Sequence, residues 1–168
     1  EVSSMKSRKP RLTSPITDPV GVLLYAELST DLAHETELEE KLVLSKNWED
    51  WVAAFNAIVE QEWEYEDGES EKKGVLELTA GVSRKLNARW SAGLELRNHQ
   101  VFEDNFEFKD EGHNAFFVGP NVAYATERGW ATLAVLPQIH SSGEAADNGL
   151  DLEEYSRMEV RLLVGIPL

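Results

Sequence analysis

The sequence predicts an all-β protein: an antiparallel up-and-down transmembrane β-barrel of about eight strands. Three observations support this prediction. Apolar and polar residues alternate with a period of two in segment after segment. The connections between these segments are short at one end of the fold and mostly longer and acidic at the other, which is typical of barrels in the bacterial outer membrane. Glycines recur on the polar side of the strands, and tryptophans lie next to the short turns.

Length and composition limit the alternatives. The 168 residues are expected to form one domain, with a flexible N-terminal tail over 1–14 and the barrel over 15–168. No stretch approaches the ~18 continuous apolar residues of a membrane-spanning helix, so a helical membrane protein is excluded. The sequence has no cysteine, which excludes disulfides and thiolate zinc sites. A formal net charge of -15 argues against nucleic acid as a partner.

The first four strands are expected over 20–28, 38–45, 51–65 and 75–84. Alternation is clearest in the first, where every second residue from Val20 to Leu28 is apolar, and in the fourth, from Leu76 to Val82. In the third strand the pattern blurs between Ile58 and Glu60, which predicts a bulge. The charged stretch 66–74 (EDGESEKKG) has glycine near both ends and is expected to be a hairpin loop.

The other four strands are expected over 88–98, 115–125, 131–140 and 155–166, joined at one end by the long connections 99–114 and 141–154. The fifth and the eighth alternate regularly, for example Trp90-Ser91-Ala92-Gly93-Leu94. Pro120 and Pro137 fall on neighbouring strands. Because each removes a backbone donor from the sheet, they predict one irregular patch in its wall.

Alternation does not decide which face of the sheet meets the solvent. A soluble barrel of the lipocalin kind places apolar residues inside, whereas an outer-membrane barrel does the reverse. The glycines favour the second arrangement, since small residues suit the interior of a narrow barrel. The aromatic residues are expected to form girdles at the two membrane interfaces. These interfacial residues are Trp48, Trp51, Trp90, Trp130, Tyr65 and Tyr155.

Several segments carry a resemblance to a known class of protein. They include DPVGVLLYAELS (18–29), ELEEKLVLSKNW (37–48), NAIVEQEWEYE (56–66), SAGLELR (91–97), FFVGPNVAYATERGWATLAVLPQI (116–139) and RMEVRLLVGIPL (157–168). In these the chain resembles bacterial outer-membrane β-barrel proteins, in particular uncharacterised proteobacterial porin-like or envelope barrels. The resemblance implies location in the outer membrane, contact with the lipid bilayer and lipopolysaccharide, and folding by the outer-membrane assembly machinery.

Charged residues on the polar face are the main candidates for a functional site. In a narrow barrel they share one lumen, where a charge is stable only if it is paired or hydrogen-bonded. A salt-bridge network that fills the lumen is expected, and the excess of acids leaves open a selective pore or cation site. The predicted network comprises Glu27, Glu39, Lys41, Glu60, Glu62, Glu64, Glu77, Arg89, Glu95, Arg97, Arg157, Glu159 and Arg161.

Two weaker patterns complete the candidates. His99, His113 and His140 map near carboxylates at the long-connection end and could bind a divalent metal, although no pair has a recognised ligand spacing. His140-Ser141-Ser142 suggests an outer-membrane lipid-modifying enzyme, but there is no GxSxG motif. The function expected is structural, adhesive or porin-like, without catalytic residues or cofactor. A soluble periplasmic lipocalin-like barrel is the first alternative and the lipid-modifying enzyme the second.

Overall fold

The computed structural model describes residues 3–4, 10–30, 35–66, 69–103, 111–142 and 148–166. In these residues the secondary structure is a single antiparallel sheet in which each strand pairs with the next along the chain. The strands are β1 (Ser3–Ser4), β2 (Gly21–Thr30), β3 (Glu35–Trp48), β4 (Trp51–Glu66), β5 (Glu69–Lys85), β6 (Trp90–Glu103), β7 (Glu111–Thr126), β8 (Gly129–His140) and β9 (Met158–Gly165).

The predicted all-β, antiparallel up-and-down arrangement is confirmed. Eight long strands follow one another, preceded by the two-residue β1. The sheet is open, because among the described residues no pairing joins β9 to β2. The described residues contain no helix with the length and apolar content needed to cross a membrane.

Several strands run further than the alternation predicted. The hairpin predicted between β4 and β5 is confirmed, but its loop is shorter than 66–74, since the two strands pair as far as Glu66 with Glu69. The β6 strand likewise continues to Glu103, and β3 begins at Glu35. These ends do not alternate regularly between apolar and polar residues, so periodicity could not detect them. The backbone ladder nevertheless extends, because each added pair satisfies further N–H and C=O groups.

The irregularities of the sheet lie in β6–β8. The bulge predicted between Ile58 and Glu60 is wrong, since β4 keeps one register with β3 through both residues. Register shifts occur instead between β6 and β7 at Val101/Phe102, and between β7 and β8 at Phe116/Phe117. The β7–β8 ladder is also interrupted between the pairs Phe117↔Gln138 and Asn121↔Ala134. Pro120 and Pro137 both lie in that interruption, as the missing N–H donors predict.

The sheet curves strongly, with its charged face on the concave side. Arg97 on β6 reaches Glu159 on β9, across two intervening strands. The opposite, convex face is apolar and exposed to solvent, and Leu94, Val160 and Leu162 are 59%, 58% and 65% exposed. A small apolar core lies on the concave face near the long-connection end and consists of Ala115, Phe117, Ala134 and Leu136.

Part of the N-terminal segment lies along the outer edge of β2. Ser3 and Ser4 pair with Thr30 and Ser29. The Leu12 N–H donates to the Val22 carbonyl at 2.8 Å. These residues belong to the segment 1–14 that was expected to be a flexible tail, and they cover part of the edge that β2 would otherwise expose.

Candidate functional site: the concave polar face

Arg97 forms the central ion-pair bridge of the concave face. Its guanidinium contacts Glu77 on the neighbouring strand β5 at 2.6 Å and Glu159 on β9 at 2.5 Å. All three side chains are mostly buried. One cation thus holds two carboxylates from opposite walls, an arrangement in which charge-assisted hydrogen bonds offset the loss of hydration.

A second layer lies one step toward the short turns. Arg161 on β9 pairs with Glu95 on β6. Beyond it, Ser83 Oγ on β5 donates to Asn121 Oδ1 on β7 at 3.0 Å, directly across β6. Gly93 makes this contact possible, because it lies in register between the two residues and a Cβ there would stand 2.7 Å from Ser83 Cα.

These layers border a cavity of about 450 Å³ that is lined by both polar and apolar side chains. Its lining comes from β3, β4, β5, β6, β7 and β9, so the strands of both halves of the sheet face one space. Polar lining residues include Lys41, Asn56, Thr79, Glu95 and Arg161. Asn56 Nδ2 donates to Thr79 Oγ1 at 2.7 Å, which fixes two of them. The charged groups at its border, Glu95 and Arg161, can interact with water, ions or a small polar solute that enters this space.

The concave face of β2–β4 is rich in acids. Glu27 lies opposite Glu39, which in turn lies opposite Glu60. Lys41 contacts Glu39 at 3.1 Å, and its Nζ lies 5.2 Å from the centre of the Tyr25 ring. The Tyr25 hydroxyl donates to Glu27. Like charges directly opposite one another repel, so this surface holds a negative potential that attracts cations.

Most of the predicted network lies together on this face. Alternation in the observed register places there Glu27, Glu39, Lys41, Glu60, Glu62, Glu64, Glu77, Glu95, Arg97, Glu159 and Arg161. Arg89 and Arg157 do not join them. Both are exposed and lie outside the strands, Arg89 in the turn before β6 and Arg157 just before β9. The sequence alone could not place these two, since each directly precedes an alternating segment.

The predicted interfacial aromatics fall into different places. Trp48 and Trp51 pair across the β3–β4 turn and Trp90 begins β6, so all three lie exposed at the short-turn end. Trp130 is also exposed at this end. Alternation places it on the concave side, however, with its ring over Gly165.

At the long-connection end, Tyr155 lies within the concave face rather than on an outer girdle. It packs against the apolar core, with its ring 6.3 Å from that of Phe117. The side chain of Tyr65 lies outside the described residues.

The three histidines do not meet. His99 packs against Tyr155, with 5.3 Å between ring centres, and His113 Nδ1 lies 2.9 Å from Asp151 Oδ2. His140 pairs with Phe116 at the end of β8. Among the described residues no group of three or more His, Asp or Glu side chains has a geometry that could hold a metal ion.

Sequence reasoning missed Asp151. It lies in a connection without periodicity, yet it is completely buried and bonded to two strands. Only the folded chain brings it to His113 and Gln138. The approach of Ser83 to Asn121 was also missed, although glycine at position 93 of the polar face was its signal.

A protein-family model matches residues 7–168, which is nearly the whole chain. The chain belongs to DUF6662, a family of unknown function. No curated protein and no solved structure matches this DUF6662 chain. The arrangement of its own residues therefore carries the functional argument.

Proposed function

We propose that this protein is a small β-barrel of the bacterial outer membrane with a porin-like role, whose polar lumen takes small solutes and prefers cations. One observation carries the proposal: the convex face exposes large apolar side chains, while the concave face gathers the charges. This is the reverse of a soluble barrel.

Two further features support contact with lipid. Asn98 and Asn114 belong by alternation to the convex side, but both are buried and Asn98 Nδ2 donates to Asn114 Oδ1 at 3.1 Å. The two amides thus bond to each other, and polar groups inside a bilayer need such internal partners. Trp48, Trp51 and Trp90 cluster at one end, where a membrane interface favours them. The proposal also requires the two edges of the sheet to pair in the membrane, β9 on one side with β2 and the adjacent N-terminal residues on the other. An open edge is unstable in lipid.

Refolding tests the membrane location. The protein is diluted from urea into plain buffer, into detergent micelles and into lipid vesicles, and β content and migration on an unheated denaturing gel are measured. Native β structure and heat-modifiable migration are expected only with detergent or lipid. Lipids with brominated chains are expected to quench the tryptophan fluorescence. A monodisperse, fully folded protein in plain buffer contradicts the membrane location.

Conductance tests the porin-like role. In a planar bilayer with a salt gradient, the reversal potential is expected to show cation selectivity. Glu39→Gln removes one charge of the acidic strip and is expected to lower the selectivity about twofold. Glu40→Gln is the matched control, because it removes the same charge from the next residue on the convex face and is expected to leave selectivity unchanged. Silence at all voltages contradicts the porin-like role and leaves a structural barrel.

A further inference from the structure

Residues 148–157, in the connection between β8 and β9, fold back onto the concave face. Backbone hydrogen bonds join both ends of this segment to residues at and just after the C-terminal end of β8. The Ser141 N–H donates to the Gly149 carbonyl at 2.8 Å, and the Gln138 N–H donates to the Arg157 carbonyl at 2.9 Å. Between these anchors, Tyr155 packs on the concave face near the long-connection end.

Asp151 joins this segment to strands β7 and β8. Its side chain is completely buried, with Oδ2 2.9 Å from His113 Nδ1 on β7. Gln138 Nε2 on β8 donates to the Asp151 carbonyl at 2.9 Å. A carboxylate withdrawn from water in this way is stable only while its partners remain in place. Asp151 is thus a latch that joins the segment to two neighbouring strands.

The same carboxylate also shapes the segment. Asp151 Oδ1 accepts hydrogen bonds from the N–H groups of Glu153 and Glu154, each at 3.2 Å. This is the local turn that aspartate commonly forms with the residues that follow it. The turn leads directly into Tyr155, whose ring lies against His99 and Phe117 on the concave face.

Tyr155 adds to an apolar cluster on the β6–β8 part of the concave face. It packs on the core of Ala115, Phe117, Ala134 and Leu136. Burial, and then the nearby Asp151 carboxylate, raise the pKa of the Tyr155 hydroxyl well above its ordinary value, so the cluster carries no tyrosinate charge. The next layer toward the short turns is the Arg97 bridge to Glu77 and Glu159.

The closed arrangement leaves polar atoms unsatisfied. Tyr155 Oη, Gln138 Oε1 and Ser141 Oγ are buried without a hydrogen-bond partner. Each such atom costs free energy that hydration would recover. Movement of the segment out of the lumen mouth would expose all three to water. The hydration gained in this way would offset part of the free energy lost when the contacts of the segment break.

We propose that residues 148–157 are a gate at the long-connection end of the lumen, latched shut by Asp151 and filled by Tyr155. The gate rests on the proposed lumen function, since it regulates access to the same polar interior. It predicts a mostly closed wild-type protein that opens when the latch is removed.

Two readouts test the gate. The chain has no cysteine, so Ala115→Cys supplies one thiol in the apolar cluster behind Tyr155, at a position that is completely buried. With the protein in lipid vesicles, a membrane-impermeant thiol reagent is expected to label this cysteine slowly. Adding Asp151→Ala is expected to raise the labelling rate about tenfold. Planar-bilayer conductance is expected to rise in the same variant.

His113→Ala removes the other half of the latch and serves as the second variant, so a folding defect in one does not end the test. Asp18→Ala is the matched control, because Asp18 Oδ2 accepts a 2.7 Å hydrogen bond from the Ser14 N–H, outside the 148–157 connection. Faster labelling in both latch variants, with unchanged heat-modifiable migration, supports the gate. Wild-type labelling in both overturns it. Faster labelling without any conductance keeps the gate and refutes the porin-like role.

Discussion

The β2–β4 half and the β5–β9 half of the sheet follow the same alternation but differ in how they neutralise their inner charges. In β5–β9, Arg97 and Arg161 pair with carboxylates on other strands. In β2–β4, Glu27, Glu39 and Glu60 face one another, with Lys41 paired to Glu39. The β5–β9 half gains rigidity from ion pairs across the concave face, whereas the β2–β4 half retains negative potential at a cost in stability.

The largest expected effect comes from breaking the Arg97 bridge. Arg97→Met leaves two mostly buried carboxylates without their shared cation and is expected to cost about 3 kcal/mol of unfolding free energy. Urea titration in detergent micelles, followed by tryptophan fluorescence, measures it. Arg89→Met, an exposed arginine in a turn, is the control and is expected to change stability by less than about 0.5 kcal/mol. A similar loss in both variants contradicts the special role of the bridge.

The next effect tests the close approach of strands in the β5–β9 half. Gly93→Ala places a methyl group against the Val82 carbonyl and Ser83 Cα, and is expected to cost about 2 kcal/mol. Gly81→Ala is the matched control, because the nearest atom to its added Cβ is the Leu94 carbonyl oxygen at 3.6 Å, an ordinary contact. The same urea titration compares them. Equal stability of the two variants would show that the strands separate easily at Gly93.

A smaller effect concerns the convex face of the β2–β4 half. Glu40 is an exposed acid beside Leu42 on the face proposed to meet lipid. Glu40→Leu is expected to raise stability in lipid vesicles by about 1 kcal/mol, because it removes a carboxylate from hydrocarbon. Unfolding in vesicles, monitored by gel migration, measures the gain. A loss of stability there indicates that this face meets water or a partner instead.

The smallest effect tests repulsion in the acidic strip. Glu60→Gln removes one of the opposed carboxylates and is expected to raise stability by about 0.5 kcal/mol. The gain is expected to shrink as salt concentration rises, since ions screen the repulsion. Glu127→Gln, in an exposed turn, provides the same charge change outside the strip. A gain that is equal for both substitutions reflects net charge rather than the strip.

Much of the site could be predicted because alternation is a local property. Once a strand forms, residues such as Glu77 and Thr79 must lie on one face, whatever the tertiary structure. The placement of Arg89 and Arg157 was less predictable, because residues at strand ends obey no periodicity. Tyr155 was expected at an outer girdle for the same reason. It lies on the concave face because Asp151 contacts His113, 38 residues earlier in the chain, and draws the connection inward.

The sequence by itself determined the strands, their up-and-down order and the separation of apolar from charged residues, since each depends on a two-residue period and on neighbouring segments. Only the tertiary structure decided which face is concave, which carboxylates share Arg97, and where residues 148–157 lie. These depend on the curvature of the whole sheet, which brings β6 to β9 across the concave face. Curvature sums small twists and close approaches over many strands, and no single segment of the sequence carries it.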